Sequence, residues 1–198
     1  MASGFLSGLR DALGIPAAPQ RVRRTVRGID VLLENTRPDI ADEDVFARLD
    51  EVLAMIERYA PAKLRRLRTD IAGIDVKRFA CRGAFFGETR RVLTELTFVV
   101  NREFSIAEIA SSLLHEGVHA RVHAAGVFRT PASLAKEERL CRATEMWWGH
   151  AVPDGAKVIE RASALLTMSD ADVAPVVDWR EAAARVADVD RRAAEGRG

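Results

Sequence analysis

Three of the four histidines in this 198-residue chain fall within nine positions, in the stretch "LLHEGVHARVHAAG". His115 and His119 are four apart, so on a helix both imidazoles project from one face about one turn apart. Two imidazoles so placed can bind one zinc ion. Glu116 lies about 100° around the same wheel from His115, where its carboxylate can reach an attacking water without itself being a ligand. His115-Glu116-Gly117-Val118-His119 therefore reads HExxH: two ligands and a general base within one turn of helix. The chemistry such a set supports is metal-assisted hydrolysis.

A catalytic zinc takes a third protein ligand and keeps one position open for water. His123 is eight residues from His115, about 12 Å along a helix axis, and cannot join both others on one ion. A structural role or a contact to substrate suits it better. The next helical stretch offers Glu137, Glu138 and Glu145. Glu138 follows His119 after 18 intervening residues, and an αα-hairpin turning through "GVFRT" returns it beside the histidine pair. Glu145 shares the face of Glu138 but lies about 10 Å farther along. One of the two ligates while the other holds a histidine in place. Glu138 is the expected ligand and Glu145 its rival, while Glu137 is expected to point elsewhere, into solvent. Cys141 fits a small buried side chain better than a competing soft ligand. Tyr59, His123 and His150 are the candidate oxyanion donors, with His150, near the end of the Glu138 helix, put forward. Trp147 and Trp148 either shape a pocket or pack, and at least one is expected in the core.

The elements that must position these residues are mostly helical. "DEDVFARLDEVLAMIERYAP" places Val45, Phe46, Leu49, Val52, Leu53, Ile56 and Tyr59 on one stripe closed by Pro61. "RVRRTVRGIDVLLENTRP" before it predicts another helix with a solvated arginine face. "RVLTELTFVVN" (91–101) is the one convincing strand, with Val92, Thr94, Leu96, Phe98 and Val100 on one face. "DVKRFACRGAFF" (75–86) can pair with it as a hairpin or small sheet. Ser105 and Glu108 form a capping box that opens the motif helix, which runs to about Ala125 before Gly126. Thr130-Pro131 starts the Glu138 helix. Helices over about 154–168 and 176–195 follow, the last with Val176, Trp179, Ala183 and Val186 on its packing side. Phe5, Leu9 and Leu13 suggest a short amphipathic N-terminal helix. The fold class is α+β, mainly α.

His115, Glu116, His119 and Glu138 together resemble the gluzincin zinc metallopeptidases, whose pattern is HExxH followed by a glutamate ligand on the next helix. The resemblance covers about residues 91–150 and implies a compact, zincin-like core with zinc as cofactor and a peptide or protein as substrate. It also implies that the strand before the motif helix is a sheet edge to which substrate adds, which would make Thr94, Leu96 and Phe98 substrate-binding. On this reading residues 1–69 are a helical region packing on the core, 70–175 the catalytic core and 176–198 a C-terminal helix and tail, all within one domain. Two departures stand out: Arg142 occupies the position, four after the ligand glutamate, where many such enzymes carry an acidic residue, and no GxMEN-type exopeptidase loop is present. A looser similarity links the chain to small HExxH peptidases that cleave phage-type repressors. The implied activity is that of a metallo-endopeptidase; the alternative is a catalytically inactive zincin-like module that binds zinc or a partner.

Composition narrows the partners. With 30 basic against 29 acidic residues, no whole-protein charge grips nucleic acid or acidic lipid. No run approaches the roughly 20 apolar residues of a membrane span. "MASGFLSGLRDALGIPAAPQ" lacks the basic start and unbroken apolar stretch of a secretory signal. Cys81 and Cys141 form no CxxC motif, as expected of free thiols in the cytoplasm. Elemental analysis should find about one zinc per chain, reduced in His119→Ala and in Glu138→Ala. Retention in Glu138→Ala alone would transfer the third ligand to Glu145.

Overall fold

Arg27 and Gly28 both take positive φ, 45° and 77°, and turn the chain where a helix was expected. The computed structural model describes residues 20–127, 130–173 and 178–194. Strands β1 (Gln20–Val26) and β2 (Ile29–Asn35) pair antiparallel across this two-residue turn, whose twist matches that of the flanking strands. Glycine adopts the left-handed region freely; arginine does so at a cost. Tertiary contacts hold it there. Arg27 donates to Asp50 Oδ2 at 3.0 Å and to Glu57 Oε2 at 2.8 Å. Ile29, Val31 and Leu33 are buried in strict alternation, the period of a strand rather than a helix.

Helices α1 (Asp42–Tyr59) and α2 (Pro61–Asp70) then lead to β3 (Gly73–Lys77), which pairs parallel with β2. The apolar stripe read from the sequence is the buried face of α1, from Val45 to Ile56. β4 (Gly83–Phe86) and β5 (Arg91–Glu95) complete a mixed sheet of order β1-β2-β3-β5-β4. The fold is α+β and mainly helical. β1 and β2 belong to the same sheet as the later strands, so a division at residue 69 runs through that sheet.

The expected strand through residue 101 stops at Glu95. The Glu95 carboxylate accepts a hydrogen bond of 2.7 Å from the Phe98 amide and opens a one-turn helix, α3 (Leu96–Val100). A carboxylate at an N-cap satisfies amides that a continuing strand would have paired elsewhere. Arg78 pairs with Glu95 and also with Asp190, so the end of the strand is tied down from two sides. Leu96 and Phe98 therefore lie in the core. Thr94 is buried in β5, which has a hydrogen-bonded neighbour on each side. The sheet edge nearest the motif helix is β4.

The remaining helices are α4 (Ile106–Ala124), α5 (Pro131–Ala151), α6 (Ala156–Leu166), α7 (Asp170–Val173) and α8 (Trp179–Ala194). α4 opens on the Ser105–Glu108 capping box, and Gly126, at φ 69°, follows its end. Thr130 caps α5 with Pro131 in its first turn. Trp148 is fully buried and donates its indole N–H to Ala107 O at 2.9 Å, which fixes α5 against α4. Trp147 is exposed, with the Lys63 ammonium over its ring. On α8 Ala182 is buried and Ala183 exposed, one position off the expected packing side. Phe5, Leu9, Leu13, Val176 and the side chain of Trp179 lie outside the described residues. Among the described residues no helix is long and apolar enough to cross a membrane.

α5 and α6 approach so closely that a Cβ on Gly155 would sit 1.9 Å from Gly149 O. Gly155→Ala must push the two helices apart. It should cost about 3 kcal/mol, the upper part of the usual overpacking range, measured from the urea midpoint. A midpoint equal to wild type would show that this junction tolerates separation.

Candidate metal centre

The motif sits in the middle of α4, and the facing helix α5 supplies the carboxylates that meet its two histidines. His115 and Glu116 are buried, and the two imidazoles face each other with their Nε2 atoms 3.2 Å apart. Glu138 points at this pair: Oε2 lies 3.4 Å from His115 Nε2, and Oε1 lies 3.2 Å from His119 Nε2. Zinc–nitrogen and zinc–oxygen bonds of about 2.0–2.2 Å in a tetrahedron put neighbouring ligand atoms about 3.4 Å apart. The Nε2–Nε2 spacing is close to such an edge, and Glu138 meets each ring through a different oxygen, so two imidazoles and one carboxylate stand together as a donor set for a zinc-sized ion.

The other nitrogen of each ring is held by its own carboxylate. His115 Nδ1 lies 3.1 Å from Glu145 Oε1, and His119 Nδ1 lies 2.5 Å from Glu137 Oε1. A carboxylate on Nδ1 favours the tautomer whose proton is there and leaves the Nε2 lone pair for a cation. Glu145, the rival third ligand, thus stands behind His115 rather than between the rings. Glu137 corrects the expectation of solvent: it is 6% exposed and bound to His119. Consecutive residues on α5 reach opposite nitrogens of one imidazole because the ring inserts between them. A helical wheel for α5 alone carries no trace of that.

Arg142, the departure from the family pattern, binds Glu145 instead of a histidine. Its Nη1 donates to both Glu145 oxygens, at 2.9 and 3.0 Å, and Arg161 of α6 adds a third contact at 3.1 Å. The acidic brace of His115 therefore comes seven residues after Glu138 and is itself clamped by two guanidinium groups. This ties the site to the α5–α6 junction.

The electrostatics follow from burial against close partners. Burial works to lower the His115 pKa, but Cys141, Glu138 and Glu145 outweigh it and hold the group well above an ordinary imidazole. His119 is pushed up in the same way, burial being overcome by Cys141, Glu137 and Glu138. Glu145 goes down to about 2, because the desolvation that would raise it is overcome by His115, Arg142 and Arg161. Glu116 moves the other way: desolvation raises it, only partly opposed by the two histidines. A carboxylate with a raised pKa is the better proton acceptor.

His115, Glu116, His119, Glu138 and Glu145 line an open cleft of about 630 Å³. Its opposite wall is the unpaired edge of β4, with Gly83, Ala84 and Phe85. A Cβ on Gly83 would come within 3.1 Å of Glu116 Oε1 and 3.0 Å of Ser112 Oγ. Glycine there lets the strand lie directly against the general-base position. Tyr59, His123 and His150 do not line the cleft. His150 is exposed on the last turn of α5, and His123 packs its ring edge-on against Phe85 with centroids 5.6 Å apart. Arg82 and Cys81, which line the cleft, carried no signal in sequence, because only the path of the chain into β4 brings them there; Ser112 lines it from α4, one turn before Glu116.

Compared with known proteins, the chain matches no family model, no curated protein and no solved structure. The centre's own geometry carries its reading. Glu137→Gln and Glu145→Gln should each weaken zinc binding about 10- to 100-fold without abolishing it, the usual effect of losing a carboxylate behind a ligating histidine. Competition with a chromophoric chelator measures this. Unchanged affinity in both variants would mean that the carboxylates serve folding alone.

Proposed function

We propose that the chain is a zinc-dependent peptide hydrolase of gluzincin type, with a zincin-like core made of the β4–β5 edge of the sheet, α4 and α5. The observation that carries this reading is the convergence of His115 Nε2, His119 Nε2 and the Glu138 carboxylate within 3.2–3.4 Å of one another, with a buried carboxylate, Glu116, beside them in an open cleft. Zinc held by these three residues supplies a Lewis acid that brings the pKa of a water down to about 7.

The chain's own residues do the rest. Glu145 and Glu137 keep the two imidazoles oriented with Nε2 forward. Glu116 takes the proton of the attacking water and hands it to the departing amine, a role its raised pKa suits. β4 is the end strand of the sheet and runs along the cleft, where an extended peptide can add as a further strand once the Cys81 thiol releases Gly83 O. Substrate recognition thus belongs to Gly83, Ala84 and Phe85 rather than to the buried Thr94, Leu96 and Phe98.

A second reading is a zinc-binding module without hydrolysis. Cys141 favours it, because its buried Sγ lies 3.6 Å from His119 Nε2, close enough to close the coordination sphere.

Glu116→Gln separates the two. Hydrolysis of unfolded casein by the zinc-loaded protein should fall by about 10²- to 10⁴-fold, the range for a lost general base, while zinc content stays at the wild-type level. Equal rates in variant and wild type would rule out the mechanism. A wild type that holds zinc and cleaves nothing would leave the binding module.

A further inference from the structure

The same turn of α5 that carries Glu138 also carries a thiol aimed into the site. Cys141 is three residues after Glu138, fully buried, and its Sγ lies 3.6 Å from His119 Nε2 and 3.9 Å from His119 Nδ1. One donor atom from each of His115, His119, Glu138 and Cys141 falls within 4.8 Å of the others. Sulfur is nearer the forward nitrogen than the one Glu137 occupies, so it stands on the side where the other ligands converge.

The distance is diagnostic. A zinc–sulfur bond of about 2.3 Å and a zinc–nitrogen bond of about 2.0–2.1 Å, at the tetrahedral angle, place S and N about 3.6 Å apart. The spacing found matches that edge, as the 3.2 Å between the two Nε2 atoms is close to the nitrogen–nitrogen edge. A thiol that merely filled core volume had no need to match it. Thiolate is also a ligand that favours zinc and its congeners over magnesium or calcium.

We propose that Cys141 is the fourth protein ligand of the metal, occupying the position that water needs for hydrolysis, so that the centre is closed at rest. Catalytic zinc sites keep a position open and structural sites fill all four; this site would be the second kind until Sγ lets go. On ligation the thiol proton leaves to solvent, as for any cysteine ligand. The inference rests on the metal reading above and adds a gate to it. Cys81, the other free thiol, lines the cleft but hydrogen-bonds Gly83 O at 3.0 Å, and burial raises it to about 11. It serves as the control.

The full-length protein is loaded with Co²⁺ and its absorption recorded. Wild type should show visible bands of a tetrahedral ion together with an intense near-ultraviolet thiolate-to-cobalt charge-transfer band. Cys141→Ser and Cys141→Ala should bind cobalt through the remaining three ligands and lose the charge-transfer band, whereas Cys81→Ala should keep it. Acetohydroxamate, a bidentate metal-binding probe, should shift the visible bands of Cys141→Ser at lower concentration than those of wild type, where it must displace the thiolate. Cobalt bound by wild type without the band, or a band that survives in both Cys141 variants, overturns the fourth ligand and leaves the zinc reading standing. Equal hydroxamate concentrations for wild type and Cys141→Ser overturn the gate. Failure of wild type to take up cobalt at all removes the metal reading and this inference together.

Discussion

Two imidazoles set between packed helices, His115 buried and His119 partly so, need a partner for each nitrogen, and the structure around α4 follows from that demand. An unsatisfied polar group in such a place costs on the order of 1–3 kcal/mol. Here all four ring nitrogens are met by α5: Glu145 and Glu137 at the Nδ1 atoms, Glu138 at both Nε2 atoms. The register of α5 against α4 is thereby restricted. A shift of one residue would withdraw all three carboxylates at once. Trp148, buried and bonded to Ala107 O one helix away, enforces the same register from the apolar side.

Charge places a second constraint on the cluster. Four carboxylates, on Glu116, Glu137, Glu138 and Glu145, are gathered around the histidines, and Arg142 and Arg161 pair with Glu145. Buried carboxylates are offset by protons or by a cation. The raised pKa values of His115 and His119 describe the first solution, and a divalent ion describes the second. The two are mutually exclusive on any one nitrogen, since a ligating imidazole must be neutral.

The sheet contributes placement rather than chemistry. β5 is central, β4 is the edge, and the change from strand to α3 at Glu95 keeps Leu96 and Phe98 in the core. Gly83 lets that edge lie against Glu116. The cleft thus has a wall of helix side chains, with the histidines and glutamates, and a backbone wall made of strand. Arg78 links β5 to α8, through Glu95 and Asp190.

What can be read without a structure is whatever depends on residues close in sequence. The HExxH turn, the Ser105–Glu108 cap, the proline start of α5, the α1 stripe and the return of Glu138 are all set by helical spacing and capping chemistry within a few residues. Whatever depends on a neighbour distant in the chain was not legible. The β1–β2 hairpin needs Asp50 and Glu57 to hold Arg27 in its turn. The end of β5 needs Arg78 to anchor Glu95. Glu137 and Cys141 take their places only because the imidazoles of α4 insert among them. Local spacing determines which side chains share a face. Which atom each one meets is decided by packing, because only the facing element supplies the partner and the dielectric that make one contact worth more than another.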